Sequence, residues 1–241
     1  MIYFIGAGPG AADLITVRGA KILSEADMVV YAGSLVNFEI IKTYVKHDCE
    51  VFDSSVMTLE EILKKLAEGY EKKLITVRLH SGDPSLYGAI REQMNFLDKN
   101  NIPFEIIPGV SSLFAASSAL KTEYMIPEVT QSLLISRIEG RTPAPDSKPS
   151  VVLFLSSGMI ERACFELIEK SYSPNTPAAL VYKASWPDEK IVSGTLETLP
   201  ALAKEAGISK TALILAGDFL YKSFDTKSKL YDKNFSHEFR K

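Results

Sequence analysis

Apolar and polar positions in the first half of the chain follow two periods in turn. Short apolar runs at 2–5, 28–31, 74–79 and 104–107 have the length and composition of buried strands. Between them, Leu59, Ile62, Leu63, Leu66 and Tyr70 recur at helical spacing behind Thr58-x-x-Glu61, a capping box, and predict a helix. Further helices are expected over 16–25, 36–44 and 111–120, with a short strand at 50–52. Strand and helix alternate throughout, which predicts an α/β fold.

The stretch 74–90, LITVRLHSGDPSLYGAI, reads as strand, tight loop and helix. Gly82 permits positive φ or close approach to the backbone, and Pro84 cannot extend a sheet. A helical pattern resumes with Leu86, Ile90, Met94 and Leu97. A loop at the carboxyl end of a strand is where open α/β sheets bind ligands. There Asp83 either accepts hydrogen bonds from a ribose or amino group or caps the next helix. The helix at 111–120 would likewise offer free N–H groups at its start.

The second half has a different texture. Strands are predicted at 132–137, 151–155, 178–182, 190–193 and 212–216, the second of them buried, with helices at 159–169 and 196–206. A loop at 140–150 carries three prolines, and the chain beyond Phe219 is polar and charged. The expected division is an α/β domain over 1–120, a second over 121–220 and a polar tail over 221–241.

Gly6, Gly8 and Ala11 fit the G-x-G-x-x-A dinucleotide fingerprint, but two features damage it. Pro9 removes an N–H from the loop that should cradle pyrophosphate. The strand at 28–31 ends in Tyr31-Ala32-Gly33-Ser34, without an acid for a ribose hydroxyl, and Asp27 lies at its wrong end.

Composition narrows the function classes. The 241 residues are 46% hydrophobic and 24% charged, ordinary for a globular protein. A net charge of −3 gives no global attraction for nucleic acid or an anionic membrane, so an anionic ligand needs local Arg and Lys. No apolar run is long enough to span a membrane, and the strand-like opening MIYFIG is unlike a secretory leader. Two distant cysteines, Cys49 and Cys164, suit a reducing cytoplasm. His47, His80 and His237 are scattered, without metal-ligand spacing.

Several stretches together resemble the tetrapyrrole (corrin and porphyrin) methyltransferases: GAGPGAADLIT at 6–16, SGDPSLYG at 81–88 and IPGVSS at 107–112. YAGSLV at 31–36, EGRTP at 139–143 and YKASWPDEKIV at 182–192 resemble the branch that methylates carbon 11 of precorrin-4 or cobalt-precorrin-4 in cobalamin synthesis. The resemblance covers roughly residues 1–220. It implies two α/β domains with the active-site trough and S-adenosylmethionine between them, usually in a homodimer. It implies cofactor contacts from Ser81, Gly82, Asp83 and Pro84, from Ser111 and Ser112, and near Leu155, Ser156, Ala184, Ala212 and Leu213. Many members have Gly-Gly-Asp where this chain has Ser81-Gly82-Asp83. The glycine loop at Gly8 and Pro9 would line the macrocycle trough, together with Tyr31 and Ser34.

Methyl transfer from a sulfonium to an electron-rich carbon mainly requires alignment, and no residue stands out as a base. The substrate's acetate and propionate arms call for cations. Arg137, Arg141 and Lys183 are the candidates, with Tyr87 and Trp186 as aromatic surfaces for adenine or macrocycle. Each also has an ordinary reading, as a solvated charge or packed core. Three other functions stay open: methylation of a different carbon of a precorrin or uroporphyrinogen, a dinucleotide-dependent oxidoreductase, and a tetrapyrrole carrier.

Overall fold

The computed structural model describes residues 1–119, 121, 123–125, 133, 135, 148–154, 156–183 and 188–220. The described residues form two compact units, one N-terminal to residue 143 and one within Pro143–Asp225.

The first unit is a parallel sheet with helices between successive strands. Its strands are β1 (Ile2–Gly6), β2 (Met28–Tyr31), β3 (Glu50–Asp53), β4 (Thr76–His80) and β5 (Phe104–Ile107). Their spatial order is β3-β2-β4-β1-β5, so β4 lies in the centre. The helices are α1 (Val17–Glu25), α2 (Phe38–Tyr44), α3 (Leu59–Glu71), α4 (Arg91–Lys99) and α5 (Ser112–Ala119). The predicted capping box is present: Glu61 N–H donates to Thr58 Oγ1 at 3.2 Å, and Thr58 N–H donates to Glu61 Oε2 at 2.7 Å. It sets the register in which Leu59, Ile62 and Leu66 face the sheet. Burying such a side chain contributes roughly 1.5–3 kcal/mol.

Strand β4 is buried on both faces. Val77 and Leu79 join the core with Ile5, Val29 and Ile107, as the apolar pattern predicts. The other face of β4 is polar: Thr76, Arg78 and His80 stand in a row and are all buried. Arg78, 2% exposed, donates from Nε to Gln93 Oε1 at 3.2 Å and from Nη1 to the Val30 carbonyl at 3.1 Å. His80, 4% exposed, stacks on Phe4 with ring centroids 6.2 Å apart, and its Nε2 has no hydrogen-bond partner.

The second unit has an antiparallel sheet of β6 (Val151–Leu153), β7 (Pro177–Tyr182), β8 (Lys190–Thr195) and β9 (Ala212–Ala216), in the order β6-β9-β7-β8. Helices α6 (Ile160–Glu169) and α7 (Leu199–Glu205) pack Cys164, Leu167, Leu199 and Ala203 against Leu180 and Ile214.

Three elements differ from the sequence pattern. The helix expected from Leu86 begins at Arg91, because Tyr87 and Ala89 take φ of 56° and 50°, which a helix cannot hold. The strand expected to be buried at 151–155 is the edge strand β6, with Val152 46% exposed. Helix α7 starts at Leu199 because Thr195 and Thr198 bond each other's backbone and hold a turn: Thr195 N–H donates to Thr198 Oγ1 at 2.9 Å, and Thr198 N–H to Thr195 Oγ1 at 3.3 Å. The strand expected at 132–137 lies outside the described residues, apart from Leu133 and Ile135.

The polar row on β4 makes stability depend on pH. Burial, and then the neighbouring Arg78 guanidinium, hold the His80 imidazole well below its ordinary 6.5. The unfolded chain therefore takes up a proton below about pH 6.5 that the fold refuses. Stability from this residue is complete above that pH. It falls below it by up to about 1.4 kcal/mol per pH unit until the folded-state pKa is reached. Urea unfolding of the wild type and His80→Gln between pH 8 and 5 should show a steeper loss in the wild type; parallel slopes would exclude this origin.

Candidate functional site

The carboxyl ends of β4, β1 and β5 are adjacent, and each leads into a glycine-containing loop. Gly6 ends β1 between Gly82, beyond β4, and Gly109, beyond β5. A Cβ at Gly6 would lie 2.5 Å from both the Gly109 Cα and the Gly82 carbonyl oxygen. One at Gly109 would lie 2.7 Å from the Gly6 Cα and nearer still to the Gly82 carbonyl oxygen. The three loops thus pack backbone on backbone.

Hydrogen bonds complete the arrangement. Ala7 N–H donates to the His80 carbonyl at 2.7 Å. Gly82 N–H donates to the Gly8 carbonyl at 2.9 Å, and Gly8 N–H to the Gly82 carbonyl at 3.3 Å. Asp83 joins two loops: Oδ2 accepts from Gly109 N–H at 2.9 Å, and Oδ1 from Ser85 N–H at 2.8 Å. Its carboxylate is therefore a clamp as well as a candidate ligand group, and it does not cap α4.

Gly82 is packed less tightly than Gly6 and Gly109. A Cβ there would lie 3.6 Å from the Ser111 Cα and 3.7 Å from the Ser112 nitrogen, in ordinary contact, while its φ of +61° favours glycine. The start of α5 thus lies close against Gly82. Ser111 is buried there, with its Oγ accepting from Leu113 N–H at 3.3 Å. Gly8 and Pro9 are held beside this contact by the Gly8–Gly82 pairing. Tyr87, 61% exposed, lies on the loop that follows.

The loop at 31–35 is set by β3. Asp53 Oδ1 accepts from Gly33 N–H at 3.1 Å and from Ser55 N–H at 2.8 Å, while Ser54 Oγ donates to the Tyr31 carbonyl at 3.0 Å. A side chain at Gly33 would collide with the Asp53 carboxylate. Tyr31 packs on Phe38 at 6.0 Å between centroids. Burial, and then the Asp53 carboxylate, raise its phenol above 10.0, so it keeps its proton at neutral pH. Ser34 is exposed beside it. Sequence reasoning missed Asp53, because its partner Gly33 is twenty positions away along the chain.

No dinucleotide acid is present on β2. Asp27 sits at the opposite end of that strand, bonded to Lys46 at 2.7 Å and to Ile75 N–H at 2.9 Å.

In the second unit, Ala212 and Leu213 lie on β9 opposite Tyr182 and Val181. Lys183 N–H donates to the Thr211 carbonyl at 2.9 Å, and its ammonium is paired with Asp188. Ser156 follows β6, its Oγ donating to the Phe154 carbonyl at 2.8 Å. Leu155, Ala184, Trp186, Arg137 and Arg141 lie outside the described residues. Among the described residues, no group of three His, Cys, Asp or Glu could hold a metal ion, and no helix is long and apolar enough to cross a membrane.

The chain is similar to known proteins. The family profile of the Tetrapyrrole (Corrin/Porphyrin) Methylases matches residues 1–200. A cobalt-precorrin-4 C(11)-methyltransferase of Methanocaldococcus jannaschii is 48% identical over 249 aligned positions, covering 100% of this chain and 96% of that protein. A precorrin-4 C(11)-methyltransferase of Mycobacterium tuberculosis is 40% identical, covering 95% of each chain. Among solved structures, a cobalt precorrin-4 methyltransferase superposes with a TM-score of 0.58 at 44% identity, covering 90% of this chain and 94% of the other.

The packing separates two kinds of glycine. Gly109→Ala forces a Cβ into backbone and should lower stability by about 2–4 kcal/mol, with a matching fall in Tm. Gly82→Ala meets no such clash and should cost only about 1–2 kcal/mol, from its positive φ. Denaturant titration of both variants checks the order, and a Gly109→Ala protein as stable as the wild type would contradict the packing.

Proposed function

The chain belongs to the tetrapyrrole (corrin/porphyrin) methylases, and from that premise we propose that it methylates carbon 11 of precorrin-4 or cobalt-precorrin-4, on the route to cobalamin, using S-adenosylmethionine. The observation that carries this reading is end-to-end identity with C(11)-methyltransferases. The loop at Gly82 supports the choice of donor, since its φ of +61° favours glycine and places its backbone beside the start of α5. The dinucleotide alternative is disfavoured by Pro9 in the glycine loop and by Asp27 at the far end of β2.

When bound, S-adenosylmethionine supplies a methyl group on a sulfonium, which leaves as a neutral thioether keeping the bonding electron pair. The chain's part is alignment. In this reading Ser81, Gly82, Asp83, Pro84, Ser111 and Ser112 hold the donor through backbone and short polar groups, and Tyr87 packs on it. Leu155, Ser156, Ala184, Ala212 and Leu213 complete its site. Gly8, Pro9, Tyr31 and Ser34 border the macrocycle. Arg137, Arg141, Lys183 and Trp186 meet its carboxylate arms and ring face, Lys183 exchanging Asp188 for a substrate carboxylate. Orientation of this kind supplies roughly 7–11 kcal/mol of a reaction barrier, enough for a potent electrophile without an assigned base. The proposal includes a homodimer, and a division into domains over 1–120 and 121–220 with a tail over 221–241.

Two measurements test the reading. Calorimetric titration should show S-adenosylhomocysteine binding and no response to NAD; the reverse would overturn it. Incubation with methyl-labelled S-adenosylmethionine should place one label on carbon 11 of the macrocycle, and a label on another carbon would favour the neighbouring activity. In the same assay, Arg137→Ala and Arg141→Ala should each raise KM for the macrocycle by roughly ten- to a hundredfold, with donor affinity nearly unchanged. Added salt should shrink that effect.

A further inference from the structure

The loop between β4 and α4 is held in a costly shape. Tyr87 and Ala89 have φ of 56° and 50°, values that residues bearing a Cβ adopt only when their surroundings impose them. Gly88 between them is closely packed, since a Cβ there would lie 2.9 Å from the Pro84 carbonyl carbon. Asp83 fixes the start of this loop through Ser85 and Gly109. Its end is fixed from beneath.

Gln93, on the first turn of α4 and 0% exposed, donates from Nε2 to the Ala89 carbonyl at 3.2 Å. Its Oε1 accepts from Arg78 Nε at 3.2 Å. Arg78 in turn donates from Nη1 to the backbone carbonyls of Val30 at 3.1 Å and Leu79 at 3.4 Å. The path runs from the carbonyls of β2 and β4, through a guanidinium and an amide, to the carbonyl of a strained residue. Packing alone does not call for a cation here, because an apolar side chain fills such a volume at lower desolvation cost. A guanidinium has one property the site uses: it only donates. Facing Arg78, the Gln93 amide must turn its oxygen inward, and its NH2 is then directed at Ala89.

We propose that Arg78 and Gln93 are positioning residues for the methyl-donor site: they impose the shape of the loop at 84–90 and thereby place Tyr87 and the Asp83–Pro84 turn. This rests on the reading of Ser81–Pro84 as the donor loop.

Gln93→Glu tests it. Glutamate keeps the shape and the acceptor for Arg78, and beside that cation it stays ionised, so it offers no proton to the Ala89 carbonyl. S-adenosylhomocysteine affinity should fall about tenfold, the effect of losing one hydrogen bond that orders the site. KM for S-adenosylmethionine should rise with kcat nearly unchanged. Amide exchange at Leu86–Ala89 should quicken by more than exchange in the core strands, beyond what any fall in Tm accounts for. Ala89→Gly, which removes the Cβ strain, should recover most of the lost affinity in the double variant. Wild-type affinity in Gln93→Glu, or a fall in Tm without loop exchange, would overturn the positioning role alone. A wild-type protein that failed to bind S-adenosylhomocysteine would overturn the donor reading together with it.

Discussion

Three glycines in contact, Gly6, Gly82 and Gly109, set the distance between the ends of β1, β4 and β5. Parallel strands place their carboxyl ends on one edge, but ordinary side chains would hold the loops above that edge apart. Without Cβ atoms the loops settle onto one another, and N–H and carbonyl groups at Gly8, Gly82 and Gly109 find partners across loops instead of in water. The contact at Gly82 follows from this closeness: the start of α5 is drawn against it because the Gly109 turn before that helix is pinned by Asp83. Fold and site share this one constraint, since the contacts that seal the top of the sheet also shape the loops of the candidate site.

The polar row on β4 works beneath the same edge. A central strand carrying Thr76, Arg78 and His80 on a buried face forgoes apolar burial at three positions of its five. Such a row is costly unless its groups are bonded, and Arg78 is bonded to two strands and a helix. Thr76 and His80 are different, since Thr76 Oγ1 and His80 Nε2 are without a partner, while the His80 backbone carbonyl receives Ala7 N–H. What the row provides is a rigid polar floor under loops that have little side-chain bulk of their own. Loops of glycine, serine and proline cannot hold themselves in place; the bonds that hold them come from strand ends, from Asp53 and Asp83, and from Gln93.

Much of the fold was legible because each element of the first unit is marked locally. Strands β2 and β5 coincide with apolar runs bounded by turns, and α3 with a capping box and an unbroken apolar face. The differences arise where local pattern and tertiary position part. Leu86 fits a helical spacing, but Tyr87 and Ala89 take positive φ in a loop whose start is tied by Asp83 to Gly109, 26 positions further along the chain, and whose end is tied to Gln93. The run at 151–155 is apolar enough for a core, and nothing in its composition says that β6 would lie at a sheet edge. Arg78 was hidden for a related reason: the apolar run through Val77 and Leu79 predicts a buried strand, but the partner that satisfies the cation within it, Gln93, lies 15 positions further along the chain.

The candidate site was legible for a different reason, and only in part. Close backbone packing can be recognised from what is absent from side chains, so Gly8, Gly82 and Gly109 mark the loops that meet above the sheet. A site formed by charged side chains has no such marker, because a lysine on a loop looks the same whether it awaits a carboxylate ligand or, like Lys183, already holds Asp188. This asymmetry follows from the chemistry. A sulfonium methyl is reactive enough that alignment replaces acid–base assistance, and alignment is achieved by close, stiff backbone more than by any functional group. Under the proposed function, the chain's contribution would lie in the glycines and in the buried polar groups that hold them, and no catalytic side chain would be needed.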